Sequence, residues 1–264
     1  MLHTMVKENS TVQRQTTMAG PNGCLEVFHW TTCDEGSPVA VLPNGYGMLR
    51  YAHTVCLSLA TIGACPVALN FSGQGRSEGS LSLSSMTADT RAFLDRVISD
   101  TRGSPITILA HCTAMLPLIE LNRRGYNWSG VKQIILYGYL ANPVGHFERF
   151  LRKGRRYGVR INQSREQLPS FPPSEYAALP CELIVVHPRI PNNLYRASIE
   201  DVLDLVRIAH PRSFYLPDFG YAISDHPQKS KVDLIVTSFI APYLGAEVSV
   251  NLLESSLSQI LSSA

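Results

Sequence analysis

At 264 residues the chain exceeds a common domain length of about 100–200, yet α/β folds of this size routinely close around one core, so a single domain over 1–264 is expected. Its 45% hydrophobic and 17% charged residues, with glycine and proline dispersed, exclude a disordered or low-complexity chain. A net charge of +2 and a pI near 8.2 are too mild for a surface built to bind nucleic acid, so any basic site must be local.

Residues 1–20 read as a polar leader without the apolar stretch of a secretory signal. No run approaches the roughly 20 apolar residues that span a bilayer, so no stable membrane insertion and a cytoplasmic location are expected. The six cysteines, at 24, 33, 56, 65, 112 and 181, form no CxxC pair or metal-ligand spacing. Free thiols in a reducing compartment follow, and the chemistry proposed below requires no metal or organic cofactor.

In chain order, strands are expected over 24–30 and 39–43, the second followed by the turn Asn44-Gly45-Tyr46-Gly47. A helix over about 49–62, closed by Gly63, leads to a short strand over 66–71 and the glycine-rich Ser72-Gly73-Gln74-Gly75-Arg76-Ser77. An amphipathic helix over 86–98 precedes a fully buried strand over 106–110. The helix over 113–124 carries Pro117 in its first turn, where a missing N–H is harmless. Strands over 131–140 and 181–186, a helix over 198–209, a strand over 213–217 and a helix over about 229–244 complete the alternation. Such an order predicts an α/β fold with a mostly parallel sheet and helices on both faces. The long stretch between the strands ending at 140 and beginning at 181 reads as a lid insertion over about 141–180.

Ala110-His111-Cys112-Thr113-Ala114 has the form small-x-nucleophile-x-small between a buried strand and a helix. In the G-x-S-x-G elbow, small flanking residues allow a sharp turn that lifts the nucleophile clear of the sheet, while the next N–H points at a developing oxyanion. A cysteine in such a string is ordinarily only packing; its place between strand and helix separates the two readings. Asn44-Gly45-Tyr46-Gly47 follows an earlier strand, where a second oxyanion donor belongs, and the glycine-rich loop follows the next.

With these motifs in this order the sequence resembles the α/β-hydrolase superfamily over roughly 39–244. That superfamily's loop D-x-x-G-x-G-x-S is matched except for Asn70 in place of aspartate. Within it, Gly45-Tyr46, the loop ending Gly75-Arg76-Ser77-Glu78-Gly79-Ser80 and the spacing to the elbow resemble the acyl-ACP thioesterase/acyltransferase family of bacterial bioluminescence. The resemblance implies an α/β-hydrolase fold, a nucleophile at Cys112 and an oxyanion hole from the backbone N–H of Thr113 and of Gly45 or Tyr46.

Asp225-His226-Pro227 lies after the strand over 213–217 and ahead of the last helix, where the superfamily keeps its catalytic histidine, making His226 the candidate base. His29, His53, His146, His187 and His210 are the other histidines considered. After the strand over 181–186, residues 187–199 hold no carboxylate, and Asn192-Asn193 falls on the family's acid motif. Asn193 is favoured over Asn192 as the group that orients the histidine. A cysteine can pre-exist as thiolate beside a protonated histidine and needs only an orienter, so cysteine and asparagine changing together is chemically coherent.

A cysteine that takes an acyl group from a pantetheine thioester exchanges one thioester for another and keeps its transfer potential, which suits transfer to a second nucleophile. The expected activity is an acyltransferase loaded from an acyl carrier protein or coenzyme A thioester. Alternatives are a thioesterase or esterase, and a non-catalytic binding protein of the same fold. In the lid, Arg149, Arg152, Lys153, Arg155, Arg156, Arg160 and Arg165 form a basic cluster suited to coenzyme A phosphates or an acidic carrier, or simply a solvated loop. Of these, Arg152, Arg155 and Arg156 are the chosen candidates. Phe147, Phe150, Phe171 and Tyr176 line an acyl pocket or form the lid's own core.

Overall fold

The computed structural model describes residues 12–31, 37–45, 50–101, 103–140, 142–187, 199–215, 237 and 240–245. Eight strands form one sheet: β1 (Val12–Gly20), β2 (Gly23–Thr31), β3 (Pro38–Leu42), β4 (Cys65–Leu69), β5 (Ile106–His111), β6 (Val131–Tyr137), β7 (Glu182–Val186) and β8 (Ser213–Tyr215). Their spatial order is β1-β2-β4-β3-β5-β6-β7-β8. The β1–β2 and β2–β4 pairings are antiparallel, and every pairing from β4 to β8 is parallel.

Parallel strands joined by crossovers are covered on both faces, and the near-continuous burial of β3, β5, β6 and β7 shows it. Successive side chains alternate between two cores. Ala40, Leu42, Ile108, Ala110, Ile134 and Leu136 pack with α2 (Leu83–Asp100) and α3 (Met115–Arg123). Val39, Val41, Leu109 and Ile135 pack with α1 (Arg50–Thr61) on the opposite face, joined by Ile240.

The polar leader is corrected in its second half: Val12–Gly20 is an edge strand paired along its full length with β2. Its glutamine, arginine and threonine side chains suit an edge, where alternate positions meet water, and that composition hid the strand. The helix over 86–98 begins earlier, at Leu83, because Ser82 caps it and exchanges a capping box with Ser85. Pro117 falls in the first turn of α3, as the sequence requires. Of the last expected helix, Thr237 and Ile240 are helical and Ala241–Leu244 is a 3₁₀ turn; the remainder lies outside the described residues.

Between β6 and β7 the insertion carries α4 (Phe147–Arg156) and α5 (Pro173–Ala177), before α6 (Ile199–Ala209). It is fastened to the body at two points. Ile161 pairs with Leu81 in an isolated parallel bridge, with Leu81 N–H donating to the Arg160 carbonyl at 2.6 Å and Asn162 N–H to that of Leu81 at 2.8 Å. On α3, Arg123 spans both carboxylate oxygens of Glu175 at 3.1 and 3.0 Å. Among the described residues no helix is long and apolar enough to cross a membrane.

Candidate active site at the turn after strand β5

Strand β5 ends at His111, and the chain turns through Cys112 into a 3₁₀ turn (Cys112–Ala114) that runs on as α3. Cys112 has φ of 54°, and only it and His210 among the described non-glycine residues have positive φ. An L-residue held there costs about 1–2 kcal/mol, so the neighbourhood must impose it. Packing alone asks for no such backbone. Ala110 and Ala114, both 0% exposed, leave no room for larger side chains where strand and helix converge. Cys112 itself is 1% exposed and sits at the N-terminal end of α3, where the helix dipole favours negative charge.

The loop after β3 is locked to this turn. Thr113 Oγ1 donates to Asn44 Oδ1 at 2.8 Å and accepts the Gly45 N–H at 3.0 Å. Gln74, from the glycine-rich loop after β4, donates through Nε2 to the carbonyls of Asn44 at 3.1 Å and Gly45 at 2.7 Å. Its Oε1 accepts the Phe71 N–H at 2.8 Å. Asn44, Gln74 and Thr113 are all buried, so three loops from adjacent strands form one rigid rim. The Gly45 N–H is thereby committed to Thr113, and Tyr46 lies outside the described residues.

The glycine-rich loop rests on two buried carboxylates. Asp89 of α2 accepts the Ser72 N–H at 2.7 Å and the Ser72 hydroxyl at 3.0 Å, and burial pushes its pKa up, partly offset by these bonds. Glu26 of β2 accepts Asn70 Nδ2 at 2.6 Å and the Arg76 N–H at 3.1 Å. An amide at position 70 is therefore the donor that Glu26 needs, which accounts for the departure from aspartate there.

At the carboxyl end of β7, His187 is 4% exposed and its Nδ1 accepts the Tyr139 N–H at 3.0 Å. Burial pushes its pKa down to about 4, so it is neutral with the proton on Nε2. Tyr139 in turn meets the ring of Tyr176 edge-on, with centroids 5.3 Å apart. Tyr176, from α5 in the insertion, is buried and belongs to the same core cluster as Cys112, Met115 and Phe150. The aromatic residues Phe147, Phe150, Phe171 and Tyr176 of the insertion are all buried in that cluster.

His226, Asn192 and Asn193 lie outside the described residues. Arg152, Arg155 and Arg156 are exposed on α4, opposite its buried Phe147 and Phe150, and form no ion pair with a described residue. Arg160 leaves the basic cluster: its guanidinium donates to the carbonyls of Gly79, at 3.0 Å, and Ser77, and so fastens the insertion. Among the described residues no group of three or more histidine, cysteine, aspartate or glutamate side chains could hold a metal ion. The described cysteines form no disulfide. Sequence reasoning passed over the Thr113 and Gln74 side chains, although both stand inside motifs it used, one directly after Cys112 and one between the loop glycines.

The chain matches no family model and no curated protein by sequence. Among solved structures it superposes on the thioesterase domain from the curacin biosynthetic pathway with a TM-score of 0.61 at 15% identity, covering 87% of this chain and 99% of that one. An α/β serine hydrolase homologue from Coxiella burnetii gives 0.58 at 18% identity, over 86% of this chain and 97% of that one. A lidless α/β serine hydrolase from Xanthomonas campestris gives 0.60 at 14%, over 89% and 97%. This is the α/β-hydrolase fold. The turn after the fifth strand of this sheet holds Cys112. At these identities the likeness speaks for the fold alone.

Proposed function

We propose that the protein is an acyl-transfer enzyme whose nucleophile is Cys112, with His226 as base and Asn193 as the group that orients it. The observation that carries the reading is the left-handed backbone of Cys112 at the strand-to-helix turn, with the loop after β3 bonded to the residue that follows it.

The Cys112 thiolate attacks the carbonyl of an acyl thioester, and the N–H groups of Thr113 and Tyr46 hold the oxyanion. Collapse breaks the bond to the leaving thiol, which takes its proton from His226, and leaves the acyl group on Cys112. His226 then takes a proton from the acceptor as it attacks, and the thiolate departs. An acceptor other than water makes the enzyme an acyltransferase, and the exposed Arg152, Arg155 and Arg156 would meet the phosphates of coenzyme A or an acidic carrier protein. Water as acceptor makes it a thioesterase, a reading favoured by the structural likeness to the curacin thioesterase domain.

Intact mass after incubation with short and medium acyl-pantetheine thioesters tests the reading, beside Cys112→Ala. An acyl increment in wild type and none in the variant is expected, and its persistence in buffer marks a transferase. Free acid released without a lasting increment marks a hydrolase, and no increment with no free acid overturns the proposal.

A further inference from the structure

The antiparallel ribbon β1–β2 extends the sheet past β4, and the C-terminal half of α2 lies over it. Between them is a cavity of about 570 Å³, within the roughly 300–1,000 Å³ of small-molecule sites. The strand register puts Thr16 and Met18 of β1, Val27 and His29 of β2, and Val67 of β4 on the one face that lines it. Phe93 and Val97 of α2 close it from above, and Ala92 contributes only a methyl where a larger side chain would fill the gap. Met18 and Val67 pack against the core yet stay partly buried, so apolar surface is left facing the cavity. Polar groups complete the lining. Thr16 Oγ1 and His29 Nε2 are hydrogen-bonded at 3.2 Å, and Arg96 Nε donates to Asp100 at 2.7 Å, both side chains of that pair being exposed. Burial and Arg14 push the His29 pKa down, Asp100 pushes it up and Arg96 down again, so two cations and one anion act on the ring and the field there is positive on balance. The cavity lies at the amino ends of the parallel strands, where Pro38 pairs with Cys65 and both line it. Cys112 follows the carboxyl end of β5, whose Ala110 is level with Leu42, about 13 Å further along β3 than Pro38.

We propose that this cavity is a second ligand site, apart from the turn at Cys112, and that it takes a monocarboxylic acid with an apolar body of medium length. The hydrocarbon covers Met18, Val27, Val67, Phe93 and Val97, and the carboxylate sits between the imidazole of His29 and the guanidinium of Arg96. An amine in the same place would meet the positive field of Arg14 and Arg96, and a wholly apolar ligand would bury His29 and Thr16 against hydrocarbon. Arg96 is held by Asp100 in an exposed pair, which contributes little to stability, so its guanidinium turns to a ligand carboxylate at small cost. The inference is independent of the reading of Cys112 as a nucleophile.

The test is titration of the full chain with octanoate and with octanol, read by calorimetry and by backbone amide shifts in a proton–nitrogen correlation spectrum. Saturable octanoate binding with a Kd below about 1 mM is expected, with the largest shifts at His29, Val67 and Val97 rather than at Thr113 or Leu116. Octanol has the same chain without the charge and should bind about threefold more weakly or worse. Arg96→Gln should weaken octanoate by about threefold or more and leave octanol within about twofold, whereas Asp100→Asn, which releases Arg96, should tighten octanoate. Both side chains are exposed, so these variants keep the fold. Ala92→Phe, which fills the gap, should weaken both ligands, and Cys112→Ala should bind octanoate as wild type does. No saturable binding, shifts centred on Thr113, or an octanoate affinity unchanged in Arg96→Gln would overturn the proposal.

Discussion

The hydroxyl of Thr113, one residue past Cys112, accepts the backbone N–H of Gly45 at 3.0 Å while donating to Asn44. One side chain therefore ties the turn at Cys112 to the loop that faces it. Thr113→Val keeps the shape but removes the acceptor of the Gly45 N–H and a donor to Asn44 Oδ1, at a cost of about 1–3 kcal/mol. Thermal unfolding should show that loss, and the rate of Cys112 acylation should fall by at least tenfold. Thr113→Ser keeps both bonds and should retain most of the rate, so equal losses in the two variants would show that the hydroxyl is not what matters.

Asn70→Asp restores the superfamily pattern and should harm this protein. Asn70 Nδ2 donates to Glu26 Oε2 at 2.6 Å, and aspartate would set a second carboxylate against it in a buried site. Two carboxylates that share a site raise the pKa of one of them, so the variant loses stability as pH rises through that raised value and regains it on acidification. A deficit of about 2–4 kcal/mol at pH 7.5, shrinking toward pH 5, is expected from urea unfolding at both values. A deficit equal at both would mean that the carboxylates do not meet.

The same contact shows why part of the site was legible from sequence and part was not. The elbow could be read because burial of a short apolar strand, small residues on either side of Cys112 and the onset of α3 all lie within one continuous segment. Asn70 looked like a loss because its partner, Glu26, stands 44 residues earlier on a strand whose neighbours gave no hint of a carboxylate bond. Strand β1 was hidden for a related reason: an edge strand needs backbone pairing with β2 more than apolar side chains, and Gln15, Thr16 and Thr17 advertise only solubility. His187 was visible as a histidine, but its neutrality comes from burial and from the Tyr139 N–H, neither of which is a local property of the chain.

Gly73→Ala should loosen the insertion from the body. Gly73 has φ of 83°, and a Cβ there would lie 2.4 Å from the Arg160 carbonyl oxygen and 2.8 Å from Leu81 N. Both obstacles are backbone, and the Arg160 N–H donates to the Gly73 carbonyl at 3.0 Å across the same crossing. The left-handed backbone alone costs a residue with a Cβ about 1–2 kcal/mol, and relief of the clash requires the strap to move. Faster amide exchange at Arg160 and Asn162, with Ile134 and Leu136 of β6 unchanged, is the expected outcome. Uniformly faster exchange would point to global destabilisation instead.

His187 should make the protein weaken in acid. Its folded pKa, pushed down to about 4 by burial, lies below its ordinary value of 6.5, so the folded protein binds fewer protons than the unfolded chain between those limits. Its contribution is fully present above pH 6.5 and is lost as pH falls toward 4, a total of about 3 kcal/mol for a difference of that size. Asp89, with its pKa raised by burial, works in the opposite sense, and His29, lowered by burial, in the same one. The comparison that isolates His187 is therefore between wild type and His187→Gln, whose side-chain carbonyl can still accept the Tyr139 N–H. Wild type should lose about 3 kcal/mol more than the variant on going from pH 7.5 to pH 4 in urea unfolding. Parallel pH profiles would mean that His187 is protonated in the folded protein, with its ring in water rather than behind Tyr139.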